Sequence, residues 1–89
     1  PAEIEACLAA CPGVRDTAVS ALPDPVWGDL IVALVAGDTT EQQINAWCRD
    51  RLSGHALPRR VVIVDALPRG KSGKLQRAAL RKLVREALR

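Results

Sequence analysis

Seven consecutive apolar residues, Leu30-Ile31-Val32-Ala33-Leu34-Val35-Ala36, constrain this chain more than any other stretch. The run is far too short to cross a membrane as a helix. Its Ile and Val content favours a strand. Successive strand side chains point to opposite faces, so a strand with no polar face has to be covered on both. Trp27 and Trp47 are the only aromatics in 89 residues, so the covering core is built from Leu, Val, Ile and Ala.

Helical and extended patterns flank that run. Ile4, Cys7, Leu8 and Cys11 recur at i, i+3, i+4 and i+7, which predicts an amphipathic helix with Pro1 in its first turn and Pro12-Gly13 at its end. Val14 to Leu22 reads as a strand with Ala and Val inward, followed by a turn at Pro23-Asp24-Pro25. Thr40-Glu41-Gln42-Gln43 resembles a capping box opening a second helix. Ile44, Trp47, Cys48 and Leu52 form its buried face, and Ser53-Gly54 stops it. Arg60 to Asp65 predicts a third strand, Leu67 to Gly73 a loop, and Leu75 onward a last helix with Leu80, Leu83, Val84, Ala87 and Leu88 inward. The order α-β-β-α-β-α predicts an α+β fold, a small three-stranded sheet packed with about three helices. The length suits one domain over residues 1–89. The missing initiator Met and abrupt start lead us to expect a piece of a longer protein.

The net charge of +3 conceals an asymmetry. Through Asp50 there are two basic and eight acidic residues; from Arg51 there are eleven basic and two acidic. The second half should attract an anionic partner. Nucleic acid, a phosphate-bearing small molecule and an acidic protein face all qualify. A small basic nucleic-acid-binding module is therefore the reading from a different class. No aromatic platform or groove-reading motif accompanies the charge, and we expect no nucleic acid. Cys7, Cys11 and Cys48 read as small buried thiols in a reducing compartment. With His55 the only histidine, no zinc ligand set is present, and we expect no metal site. No signal peptide or membrane span is visible, which points to the cytoplasm.

The stretch with most chemistry is Leu67-Pro68-Arg69-Gly70-Lys71-Ser72-Gly73-Lys74-Leu75-Gln76-Arg77. Exposed backbone donors and ammonium groups in such a loop suit an anion. A nucleoside-triphosphate P-loop fails on spacing, because the first glycine of G-x-x-x-x-G-K-S would have to occupy the position of Asp65. The whole string instead resembles L-P-[RK]-x-x-x-G-K-[IL]-x-R-x-x-L, the signature near the C-terminus of adenylate-forming (AMP-binding) enzymes. Leu67, Pro68, Arg69, Gly73, Lys74, Leu75, Arg77 and Leu80 fit it. Pro1-Ala2-Glu3-Ile4-Glu5 resembles the P-x-E-I-E that follows that family's interdomain hinge. Val14 to Asp24 is similar to its V-x-x-A-V-V-x-x-x-D, and Trp27-Gly28-Asp29 to its W-G-[ED].

The resemblance, to the acyl- and aryl-CoA synthetase branch, implies a mobile C-terminal lid. The lid closes over a large N-terminal adenylation domain that binds ATP and a carboxylic acid, with Mg2+ held there alongside ATP. Lys74 is the implied adenylation lysine, with Ser72 and Gly73 as loop support. A cation aimed at developing charge lowers the barrier to joining two anions, carboxylate and triphosphate. A second face, presented after rotation, is implied to meet CoA through Trp27, His55 and Arg59. His55 and Ala56 depart from that loop's usual [YF]-K. The alternative within the family is the lid of a peptide-synthetase adenylation domain loading a carrier-protein thiol. Such lids usually read N-G-K-[VIL]-D-R, against Ser72 and Gln76 here. The isolated chain is expected to be inactive.

Overall fold

A computed structural model of the chain describes residues 2–26 and 28–88, with the backbone alone at His55. Pro1 and Trp27, both singled out in the sequence, lie outside the described residues. The elements are α1 (Ala2–Ala9), β1 (Val14–Asp24), β2 (Gly28–Gly37), α2 (Glu41–Arg49), β3 (Arg60–Val64) and α3 (Arg77–Ala87), with one 3₁₀ turn over Gly54–Ala56. The three strands form one sheet in the order β1-β2-β3. β1 runs antiparallel to β2, and β3 parallel to it.

The apolar run is the central strand, and its alternation divides the core in two. Ala33 and Val35 face a cluster with Ile4 and Leu8 of α1, Ile44 and Cys48 of α2, and Val61. Val32 and Leu34 face the other side, against Ala18, Leu67, and Leu80 and Val84 of α3. A fully buried Leu or Ile contributes about 1.5–3 kcal/mol, so both layers are needed. The buried Thr17 hydroxyl donates to the Leu34 carbonyl at 3.1 Å, which removes the penalty of an unpaired polar group.

Several boundaries differ from the sequence pattern. β1 continues to Asp24 rather than turning at Pro23, because Pro23 and Asp24 pair with Asp29 and Gly28. A proline is tolerated there because β1 is an edge strand. The turn follows, with the Val26 amide donating to Asp24 Oδ1 at 2.9 Å. α1 ends at Ala9, before Cys11, yet Cys11 is still buried in the turn that follows. The Thr40 capping box forms as read, with the Gln43 amide donating to Thr40 Oγ1 at 3.1 Å. α2 ends at Arg49, before the Ser53-Gly54 stop. Trp47 is only half-buried; its Nε1 donates to the Cys7 carbonyl at 2.8 Å, and the Arg51 guanidinium stacks 3.3 Å above its ring. α3 starts at Arg77, not Leu75, and Ala87 faces solvent.

Burial pushes the Cys48 thiol up to about 11, with Cys7 beside it adding to the effect, and raises Cys11 as well. These thiols are protonated core groups at neutral pH. All three cysteines are free. No helix among the described residues is long and apolar enough to cross a membrane.

Candidate functional site

β1 begins with a bulge. Val14 pairs with Gly37 and Asp16 with Ala36, which leaves Arg15 as the extra residue. Bulges re-aim side chains. Here two consecutive residues, which a regular strand would send to opposite faces, both reach the segment after β3. Arg15 Nη2 donates to the Asp65 carbonyl at 3.1 Å, and the Asp16 carboxylate meets Arg69. Gly37 is required opposite the bulge. A Cβ there would sit 2.9 Å from the Arg15 nitrogen and press on the Gly13 carbonyl.

The segment expected to be a simple loop is a short hairpin. Arg69 pairs antiparallel with Leu75. The Gly70 amide donates to the Lys74 carbonyl at 2.8 Å, and the Gly73 amide to the Gly70 carbonyl at 2.9 Å. Gly73 takes φ +82°, a left-handed value that suits glycine at such a turn. The Gln76 amide donates to the Pro68 carbonyl at 2.9 Å, which continues the pairing and delays α3 to Arg77. This revises one expectation. The Gly70 and Gly73 amides bond within the hairpin rather than lining an anion cradle, so attraction for an anion rests on side chains. Lys71, Ser72, Gly73 and Lys74 are all exposed at the tip, and Arg77, Arg81, Lys82 and Arg85 of α3 are exposed beyond it.

Arg69 ties the hairpin to the sheet. Its Nε donates to Asp16 Oδ2 and its Nη2 to Asp16 Oδ1, each at 2.7 Å. Its remaining Nη1 donates to the Gly73 carbonyl, also at 2.7 Å. Arg69 holds the Asp16 carboxyl below the ordinary carboxylate range; partial burial opposes the effect and the Thr17 amide assists it. The partners are 53 residues apart, and nothing in the sequence pattern pairs them.

Arg59, implied for CoA, lies at the other end of the sheet. The Arg59 amide donates to the Ile31 carbonyl at 2.7 Å, just before β3 begins, and Arg59 is exposed. Trp27 and the His55 side chain lie outside the described residues. Gly28 opens β2 at this same end, and His55 lies in the 3₁₀ turn before Arg59. Ala36, beside Asp16, is five residues from Ile31 along β2. At about 3.3 Å per residue the hairpin end and the Arg59 end are roughly 17 Å apart. Among the described residues no three His, Cys, Asp or Glu side chains converge to hold a metal.

Residues 3–74 match the family described as the AMP-binding enzyme C-terminal domain. The chain is 38% identical over 88 residues to the uncharacterized acyl–CoA ligase YhfT of Bacillus subtilis (strain 168), covering 99% of this chain and 18% of that protein. It is 42% identical over 84 residues to the long-chain-fatty-acid–CoA ligase FadD13 of Mycobacterium tuberculosis, covering 91% and 17%. It superposes on a Mycobacterium tuberculosis fatty acyl CoA synthetase with a TM-score of 0.85 at 41% identity, over 93% of this chain and 17% of that one. The chain thus spans about a sixth of the length of these relatives.

Proposed function

The chain belongs to the AMP-binding enzyme C-terminal domain family, and from that premise we propose that it is the lid of an ATP-dependent, AMP-forming acid–CoA ligase. In the first half-reaction a carboxylate oxygen attacks the α-phosphorus of ATP, and the bond to pyrophosphate breaks. The lid closes over a larger N-terminal adenylation domain and brings Lys74 to the meeting carboxylate and phosphate. In the second half-reaction the CoA thiol attacks the acyl carbonyl and AMP leaves. The lid has then turned, so that the Arg59 end, with Trp27 and His55, meets CoA. ATP, CoA and a carboxylic acid are the substrates, and the reading carries a cytoplasmic location. The names of the relatives favour CoA over a carrier-protein thiol as acceptor.

An exposed Lys74 on a hairpin closed on both sides of it supports this reading most strongly. A lysine is a compact, mobile cation. Here it is carried on fixed backbone, so little reorganisation is needed as charge develops. The sheet geometry adds support. The two candidate faces lie roughly 17 Å apart along the same strands, an arrangement consistent with a body that turns between the half-reactions.

The test uses the full-length protein that carries this domain. Lys74→Ala should slow pyrophosphate exchange by about 10²–10³, while single-turnover thioester formation from supplied acyl-adenylate stays near wild type. Lys71→Ala, two residues from the turn glycine, should be close to neutral in both. Arg59→Ala should show the converse pattern, raising the KM for CoA roughly tenfold or more through a lost phosphate contact and sparing pyrophosphate exchange. Equal loss of both half-reactions in Lys74→Ala, or a larger loss in Lys71→Ala, overturns the role of Lys74. Pyrophosphate release by the 89-residue domain alone would also refute the lid reading.

A further inference from the structure

We propose that Arg69 is a positioning residue for adenylation, clamping the hairpin so that Lys74 is presented in one orientation. The inference rests on the role of Lys74 given above and adds a residue to that site. All three hydrogen-bonding nitrogens of the Arg69 guanidinium are engaged, two on the Asp16 carboxylate and one on the Gly73 carbonyl. The first pair fixes the hairpin to β1. The third bond holds the peptide joining Gly73 to Lys74. That same segment is gripped from its other side by the Gly70 amide on the Lys74 carbonyl. The carbonyls on either side of the Lys74 Cα are therefore both held, and the direction of the Cα–Cβ bond is set.

The arrangement has the marks of a built support. The β1 bulge turns Asp16 toward the hairpin and sends Arg15 to the Asp65 carbonyl, a second tie on the segment that leads into it. Leu67 anchors that segment in the core beneath α3, so the hairpin is held between a buried Leu and the Arg69 clamp. Only a planar fork makes a bidentate carboxylate contact while a further N–H reaches a carbonyl. A lysine at 69 would keep the charge and lose the geometry. Arg69 itself points at the hairpin and the sheet and acts through Lys74.

A double-mutant cycle in the full-length protein tests this. Arg69→Ala should slow adenylation, read by pyrophosphate exchange, by on the order of ten- to a hundredfold, as expected for a misplaced group. It should lower kcat, leave the KM for ATP unchanged and leave thioester formation near wild type. In a Lys74→Ala background, Arg69→Ala should cause no further slowing, because there is no longer a cation to position. Arg69→Lys should behave like Arg69→Ala. Should Arg69→Ala fold poorly, Asp16→Asn, equal in shape and without charge, takes its place in the same cycle. Hydrogen exchange of the peptide spanning 68–76 should quicken in each variant while β2 peptides stay protected. Equal slowing in both backgrounds, or none in either, overturns the clamp while leaving Lys74 in its role. A Lys74→Ala variant that adenylates normally overturns both.

Discussion

Gly73 offers the sharpest separation of backbone geometry from side-chain chemistry. It sits at φ +82°, and a Cβ built there meets no heavy atom within 4 Å beyond its two chain neighbours. A methyl group at 73 therefore clashes with nothing outside its own backbone. The whole cost of Gly73→Ala is the left-handed conformation, about 1–2 kcal/mol for an L residue. Such a cost shifts an equilibrium about 5- to 30-fold. The equilibrium affected is local. The residues that make the Gly70–Lys74 and Arg69–Gly73 bonds belong to neither core cluster, so breaking those bonds is expected to leave both clusters packed. Gly73→Asn should cost less, because asparagine enters the left-handed region several-fold more often than most residues. Gly73→Val should cost most, because β-branching adds to the strain. The assay is hydrogen exchange by mass spectrometry on the full-length protein, following the peptide over 68–76 with β2 and α3 peptides as references. Exchange in the loop peptide should accelerate in the order Gly, Asn, Ala, Val, reaching roughly 5- to 30-fold for Ala. The reference peptides should not change. Indistinguishable Asn and Ala variants, or loosening of β2 with the loop unaffected, would refute the assignment of the cost to φ at this position.

Two further outcomes follow from the core and the clamp. Leu34, fully buried beneath α3, should cost about 2–5 kcal/mol when cut to alanine, read as a lower urea midpoint; Val26→Ala, at a side chain 78% exposed, should stay within about 0.5 kcal/mol. The depressed Asp16 carboxyl contributes stability above the ordinary aspartate value near 3.9, and that contribution is lost as pH falls through its lower folded value. The Tm difference between wild type and Asp16→Asn should therefore shrink below about pH 4, and a pH-independent difference would remove the ion pair as its cause.

Local pattern carried a good deal of this protein. Leu30 to Ala36 has no polar side, and a strand with that composition has only one stable environment, between two layers. Thr40 and Gln43 satisfy each other's backbone donors within one turn, so the start of α2 was legible without any distant partner. The string from Leu67 to Leu80 marked the candidate lysine and the family before any fold was known, because its residues are close together in the chain. What pattern missed depends on contacts between distant segments. Ser53-Gly54 marked the end of the second helix too late, since the chain leaves α2 at Arg49 through a turn in which the Arg51 and Leu52 amides both donate to the Cys48 carbonyl. Leu75 reads as the first residue of a helix by spacing, yet Arg69 across from it supplies a strand partner, and the helix begins two residues later. The β1 bulge, the turning of Arg15 and Asp16 to one side, and the Asp16–Arg69 pair exist only once β1 lies against β2 and β3. An ion pair across 53 residues of chain leaves no local periodicity, because neither partner's neighbours are altered by it. The sequence alone determined where the candidate lysine lies in the chain; the tertiary structure decided what holds the backbone around it in place.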